Sequence, residues 1–253
     1  MHRITDLEVQ AVQAEYKNNY RPFKAFSATK EDLDRVAASF QVLIETQNGQ
    51  DTDDYCVAEN NKVEKYLANT QKGSRVLLLG VGTGRETLVA RELGLDAVGT
   101  TLGSRNIDFG IEYLGLSTEE HIECLNETLP FANDSFDEVA GFQVFEHAMS
   151  PFLFLLEQNR VLRKDGRLLL EWPPGDNYSM EDNPHHQICY SPGQAYALFQ
   201  KAGFQDIKVY YEDFTPILEE DMWSGRHVKM LCVEGKRAPI RKHYIAHYRN
   251  LKG

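Results

Sequence analysis

Residues 76–87 read VLLLGVGTGRET: an apolar run, then Gly80-Val81-Gly82-Thr83-Gly84, then the start of a helical pattern. A short apolar run bounded by glycines predicts a buried strand entering a tight turn. Three glycines in five positions let the main chain approach a ligand, and the helix that follows offers N–H groups at its start. In an open α/β sheet, ligands sit beyond the carboxyl ends of the strands. The stretch therefore predicts a fold and a place for a site, with a tight turn that binds nothing as the plainer reading.

Outward from this stretch the pattern alternates. RVLLLG is a strand and ETLVARELG a helix ending at Gly94; DAVGTTL is a strand and NIDFGIEYLG a helix closed by Gly115. HIECL and FDEVAGFQVF are strands, PFLFLLEQNRVL a helix, GRLLLEW a strand and PGQAYALFQKAGF a helix. DIKVYYEDF and HVKMLCVEGK form a closing strand pair with no helix between them, so one of the two runs antiparallel. Alternating strands and helices predict an α/β fold, a parallel sheet covered on both faces. Upstream, ITDLEVQAVQAEY and KEDLDRVAASFQVLIETQ carry helical spacing, with Thr29 and Asp32 as a capping pair for the second. NGQDTDD is a polar break, and a further helix runs through Val63 and Leu67. The expected organisation is a helical cap over 1–72, the sheet domain over 73–237 and a basic tail over 238–253.

Composition narrows the function. The 253 residues are 42% hydrophobic and 26% charged, as in a globular protein with a core, and the net charge is −11. That charge argues against wrapping nucleic acid with the whole surface. Cys56, Cys124, Cys189 and Cys232 show no CxxC pair and no metal-ligand spacing. They predict free thiols in a cytoplasmic setting rather than a disulfide frame or a zinc knuckle. MHRITDLEVQ has no apolar signal core, and no run reaches the roughly 20 apolar residues of a membrane span.

The glycine spacing is G-x-G-x-G followed by Arg85 and Glu86, not the G-x-G-x-x-G of dinucleotide folds, and the GKS or GKT of a P-loop is absent. Together with LPFANDSFDEV (129–139), Phe145-Glu146-His147 and RVLRKDGRLLLEWPP (160–174), VLLLGVGTG resembles the class I S-adenosylmethionine-dependent methyltransferases, especially their small-molecule branch. HHQICYSPGQAYALFQKAGF (185–204) adds the family's final helix, and the likeness covers about 73–237. It implies a Rossmann-like, doubly wound, seven-stranded, mostly parallel sheet and S-adenosyl-L-methionine as cofactor. The implied cofactor pocket is Gly80, Val81, Gly82, Thr83, Gly84, Thr101, Leu102, Asn126, Glu127 and Gln143. Three acidic positions of the family differ here. Leu78 stands two before the first glycine, Thr101 ends the second strand, and Leu125 follows the third. Thr100 and Thr101 accept weaker hydrogen bonds than a carboxylate, and Asn126 has an amide suited to an adenine amino group.

For the chemistry, His147 lies just past the fourth strand, where a neutral ring takes a proton near pH 7. Its alternative role is to cap the helix starting near Pro151. Glu146 either orients it or is solvated. WPPGDNYSMEDNPHHQICY has the length and polarity of a lid. There His185 and His186 serve as base or substrate-binding groups, or as ordinary polar lid residues. Glu181 and Asp182 beside them lack the spacing of a metal site, so no metal is expected. Trp172, Tyr178 and Tyr190 wall an aromatic or sugar-like substrate or belong to the core. The tail GKRAPIRKHYIAHYRNLKG is basic, with Ile240, Tyr244, Tyr248 and Leu251 on one helical face. It suits docking on the acidic body or on a second subunit of a homo-oligomer, and less well an anionic partner such as nucleic acid. The expected activity is methyl transfer to oxygen or nitrogen of a small or sugar-like acceptor. The alternatives are a catalytically degenerate domain used for binding or assembly, and a nucleic-acid methyltransferase.

Overall fold

The computed structural model describes residues 29–39, 62–174, 186–187, 190–211, 213–223 and 230–238. Its strands are β1 (Arg75–Leu79), β2 (Asp96–Thr101), β3 (His121–Glu123), β4 (Phe136–Phe142), β5 (Leu162–Trp172), β6 (Phe204–Tyr210) and β7 (Leu231–Arg237). Its helices are α1 (Lys30–Ser39), α2 (62–67), α3 (Arg85–Glu92), α4 (Ser104–Leu114), α5 (Pro151–Val161) and α6 (Pro192–Lys201). The strands form one seven-stranded sheet in the order β3-β2-β1-β4-β5-β7-β6. β1 pairs in parallel with β2 and with β4, β2 with β3, and β4 with β5. β7 runs antiparallel between β5 and β6, as the missing helix predicts.

The two faces follow from strand alternation. Leu77 and Leu79 of β1 join Val139, Leu168 and Leu170 on one face, covered by Phe154 and Leu155 of α5 and Phe199 of α6. Val76 and Leu78 join Ala140 and Leu169 on the other, covered by Val63, Tyr66 and Leu67 of α2 and by Val89 and Ala90 of α3. Burying such side chains supplies roughly 1.5–3 kcal/mol each, the main term holding the layers together. The helix ends obey their local sequence. Gly94 and Gly115 take left-handed φ values of 86° and 69° just past α3 and α4, and Ser191 with Gln194 forms a capping box on α6.

β4 stops sooner than its apolar run suggests. Gln143 turns left-handed at φ 54° and Phe145–His147 form a single 3-10 turn. The main-chain N–H of Gln143 bonds the Glu171 carbonyl at 2.9 Å as the chain leaves the sheet there. Only parts of the expected cap lie within the described residues, namely 29–39 and 62–72. The first expected helix, Cys56, Cys189, most of the lid and the tail from 239 onward lie outside them. Cys124 and Cys232 are buried free thiols. Among the described residues, no helix is long and apolar enough to cross a membrane.

The chain winds outward from β1 through β2 to β3, then returns to place β4 on the other flank of β1. The switch point of the sheet lies between β1 and β4. The glycine loop leaves one strand and residues 143–147 leave the other, so both candidate segments sit at the mouth of the same crevice.

Candidate functional site

Gly80, Gly82 and Gly84 take φ values of 67°, 50° and 98°, a left-handed series that only glycine follows without strain. A side chain on Gly80 would overlap Val144, and one on Gly84 would meet Leu116 and His121. The loop is tied down by its own main chain: Val81 N–H bonds Thr100 O at 2.9 Å and Gly84 N–H bonds Val81 O at 2.8 Å. Gly80 and Gly82 are partly open, whereas Val81, Thr83 and Gly84 are buried. Those last three shape the loop from inside.

Beneath it lies a residue that sequence reasoning missed. His121 is 1% exposed, and its Nε2 stands 3.1 Å from the Gly82 carbonyl. Burial lowers its pKa, opposed in part by the bond to Gly82. The two residues are far apart in sequence, and an isolated histidine opening a short strand gave no signal.

The polar residues expected around the cofactor bond mainly to the protein. Leu78 is in the sheet core. Thr100 is fully buried and donates to Asn126 Oδ1 at 2.8 Å. Thr101 is 5% exposed and accepts from Asn106 Nδ2 at 3.3 Å, while the carbonyl of the half-buried Leu102 accepts from the same amide at 3.1 Å. The Asn126 carbonyl accepts from Gln158 at 2.8 Å. The Glu127 carboxylate accepts from Met149 N–H at 2.9 Å and Ser150 N–H at 3.4 Å, immediately before α5. Burial raises its pKa against those backbone bonds. Glu127 thus ties down the two residues that lead into α5, where the N-cap residue Ser150 makes no side-chain cap bond.

A carboxylate does stand at this end of the sheet, one strand further out. Glu123 is the residue opposite Thr101 in the β2–β3 register. It accepts from Gly103 N–H at 3.2 Å and from Lys30 Nζ at 2.9 Å. The three left-handed glycines, the Asn126 amide and Glu123 supply a main-chain cradle, an amide and an acid. That donor set fits an adenosyl cofactor with fewer charges than the family pattern implies.

On the other flank of the crevice, Gln143 reaches Glu171 with its side chain as well, at 3.4 Å. Glu171 is buried and also receives Lys62 Nζ at 3.1 Å and the Tyr66 hydroxyl of α2. Burial pushes the Tyr66 phenol far up. Phe145 then anchors the 3-10 turn, with ring centroids 4.9 Å from Trp172, 5.2 Å from Phe154 and 6.0 Å from Tyr190. Trp172 is completely buried and packs on Phe199 as well, so it belongs to the core and does not wall a substrate. Tyr190 is half-buried.

Glu146 is 1% exposed, and neither of its carboxylate oxygens has a hydrogen-bond partner among the described residues. Burial pushes its pKa up to about 8; its own backbone N–H opposes this, the Glu171 charge adds to it and Lys62 reduces it. The Glu146 carbonyl accepts from Gln187 N–H at 2.7 Å, which pins the returning chain over the turn and delivers His186. The His147 and His186 rings lie 5.0 Å apart at 67°. One donor atom from each of Glu146, His147 and His186 falls within 4.8 Å of the others. His185, Glu181, Asp182 and Tyr178 lie outside the described residues. The lid and the turn are separate features of the sequence, and nothing in their spacing shows that His186 meets Glu146.

Residues 77–170 match the family model described as a methyltransferase domain. A ubiquinone biosynthesis O-methyltransferase of Roseobacter denitrificans is 33% identical over 98 residues, which is 38% of this chain and 39% of that protein. The chain thus aligns with about two-fifths of that relative's length. Among solved structures, the phosphoethanolamine N-methyltransferase 2 of Haemonchus contortus in complex with S-adenosyl-L-methionine superposes with a TM-score of 0.57 at 17% identity, over 72% of this chain and 53% of that one. A SAM-dependent methyltransferase of Thermotoga maritima gives 0.58 at 19%, over 78% and 99%. The [4+2]-cyclase SpnF gives 0.54 at 19%, over 71% and 80%, so this fold also carries other chemistry. The matched domain, the strand order and the glycine loop at the switch point make the chain similar to the class I S-adenosylmethionine-dependent methyltransferases.

Proposed function

We propose that the protein transfers a methyl group from S-adenosyl-L-methionine to oxygen or nitrogen of a small-molecule or sugar-like acceptor. The observation that carries this reading is the placement of the Glu146–His147–His186 cluster beside the glycine loop. Val144 packs against Gly80, and Glu146 lies two residues beyond it. When bound, the cofactor supplies a methyl group activated on a sulfonium sulfur. Gly80 and Gly82 would hold it through the main chain, with Asn126, Gln143 and Glu123 at the rim. The chain's other task is to align the acceptor and deal with its proton. In this reading His147 and His186 take that role, with Glu146 behind them.

Calorimetry with S-adenosyl-L-methionine, followed by an unbiased screen of acceptors, tests the reading. Binding that is lost in Gly82→Asp supports it, and equal binding by both proteins removes the cofactor from this loop. The second reading is a degenerate domain used for binding or assembly. It draws on Leu78, Thr101 and Leu125, none of which offers the carboxylate the family uses. A thermal shift separates the two, since a ligand at a hundredfold excess over its Kd stabilises the fold by about 2.7 kcal/mol. No shift at millimolar cofactor favours the degenerate domain.

A further inference from the structure

We infer that Glu146, His147 and His186 bind a divalent first-row transition cation at the acceptor side of the crevice, an inference that rests on the methyl-transfer reading for its role but not for its test. Three observations converge on it. The donor atoms of the three side chains already lie within 4.8 Å of one another. Metal–ligand distances of about 2.0–2.2 Å put such atoms roughly 3.4 Å apart in a tetrahedral site and about 4.2 Å apart across an octahedral one. A side-chain adjustment of about an ångström closes the gap.

The second observation is the carboxylate itself. A buried carboxylate is normally hydrogen-bonded or paired, and Glu146 has neither of its oxygens bonded among the described residues. The nearby cation Lys62 is engaged by Glu171 at 3.1 Å. A metal ion between Glu146 and the two imidazoles compensates the carboxylate without any further protein group.

Third, the site is braced. The Gln187 N–H to Glu146 carbonyl bond fixes the lid segment on the turn, and Phe145 locks the turn among Phe154, Trp172 and Tyr190. Such outer contacts hold ligands in place before the ion arrives.

The donor set selects the ion. Two imidazoles and one carboxylate suit Zn²⁺, Mn²⁺, Fe²⁺ or Co²⁺, whereas Ca²⁺ and Mg²⁺ favour oxygen ligands alone. Three protein ligands also leave coordination positions open, as in catalytic rather than structural sites. An acceptor hydroxyl filling one would lose its proton to water more readily, because the cation lowers the pKa of a bound O–H. This directs the acceptor class toward hydroxyl-bearing molecules and away from amines.

The test uses the full chain, stripped with a chelator and titrated with Co²⁺ while visible absorption and bound metal are measured. Uptake of about one equivalent, weakened at least tenfold in Glu146→Gln and in His186→Ala, is the expected result. No uptake by the wild type overturns the inference, as does equal uptake by wild type and both variants. Should Glu146→Gln fail to fold, His186→Ala alone decides, because that side chain is only half-buried. Cofactor calorimetry on the same stripped protein separates the two readings. Cofactor binding without Co²⁺ uptake overturns the metal site alone. Site-specific uptake without cofactor binding upholds the metal site and overturns methyl transfer.

Discussion

The two flanks of the crevice treat polar side chains differently. On the β1–β2 flank, each has at least one bond to the protein's own framework, Thr100 to Asn126, Thr101 to Asn106, His121 to the Gly82 carbonyl and Glu127 to the start of α5, even where His121 Nδ1 and Asn106 Oδ1 are left without a partner among the described residues. On the β4–β5 flank, Glu146 is buried with both oxygens unpartnered among the described residues, facing two imidazoles. A polar group that is buried and bonded adds rigidity, whereas one buried and unbonded costs free energy unless something else meets it. The first flank is a scaffold that presents a main-chain cradle. The second holds a buried carboxylate that no described residue meets, and the proposed chemistry is built on it.

The largest effect that could break this contrast is on turnover. His147→Ala should lower the transfer rate by ~10²–10⁴-fold, the usual loss when a group that handles the acceptor's proton, directly or through a bound ion, is removed. Cofactor affinity and melting temperature should change little, because Glu127 holds the entry to α5 independently of His147. Full turnover in His147→Ala would move the chemistry elsewhere. On the other flank, Gly82→Asp should weaken cofactor binding at least roughly tenfold, equivalent to about 1.4 kcal/mol. The left-handed φ of 50° strains any side chain there, and aspartate adds bulk where the main chain must meet the ligand.

The same contrast explains what the sequence reveals. Local rules suffice for the glycine loop, for Gly94 and Gly115 closing their helices, for the Ser191 cap and for the antiparallel closing pair. All but the last depend on residues within a few positions, and the closing pair follows from the missing helix between consecutive strands. The doubly wound sheet follows because alternating strands and helices admit few arrangements. The pairings that make the site join distant segments: His121 with Gly82, Lys62 with Glu171, Gln187 with Glu146. No periodicity encodes them. Glu127 shows the difficulty well. Its position in the motif suggests the cofactor, yet once α5 is folded its carboxylate lies closest to two main-chain N–H groups.

Glu127→Ala gives a measurable version of that point. It removes bonds to the Met149 and Ser150 N–H groups and leaves the Ser150 donor unmet in a partly buried place. Losing a cap of this kind costs about 0.5–2 kcal/mol. Denaturant unfolding should show a loss in that range while cofactor affinity stays as in the wild type. A selective drop in cofactor affinity with unchanged stability would return Glu127 to the pocket and blur the division between the flanks.

The smallest effect concerns His121 and the pH dependence of the glycine loop. Burial holds its folded pKa below the ordinary value of 6.5, while in the unfolded chain the ring titrates near 6.5. Above that pH both states are neutral and the group contributes nothing to the pH dependence. As pH falls through 6.5 toward the lowered folded value, the unfolded state takes up a proton that the folded state does not. Stability therefore declines on the acid side, with a slope of at most about 1.4 kcal/mol per pH unit from this residue. His121→Gln should flatten that part of the curve, measured by chemical denaturation between pH 7 and the onset of acid unfolding. Because Nε2 must carry the hydrogen given to the Gly82 carbonyl, the variant should also loosen the loop and modestly weaken cofactor binding at neutral pH. An unchanged acid limb together with unchanged affinity would mean that the loop holds its left-handed series through main-chain bonds alone, without support from beneath.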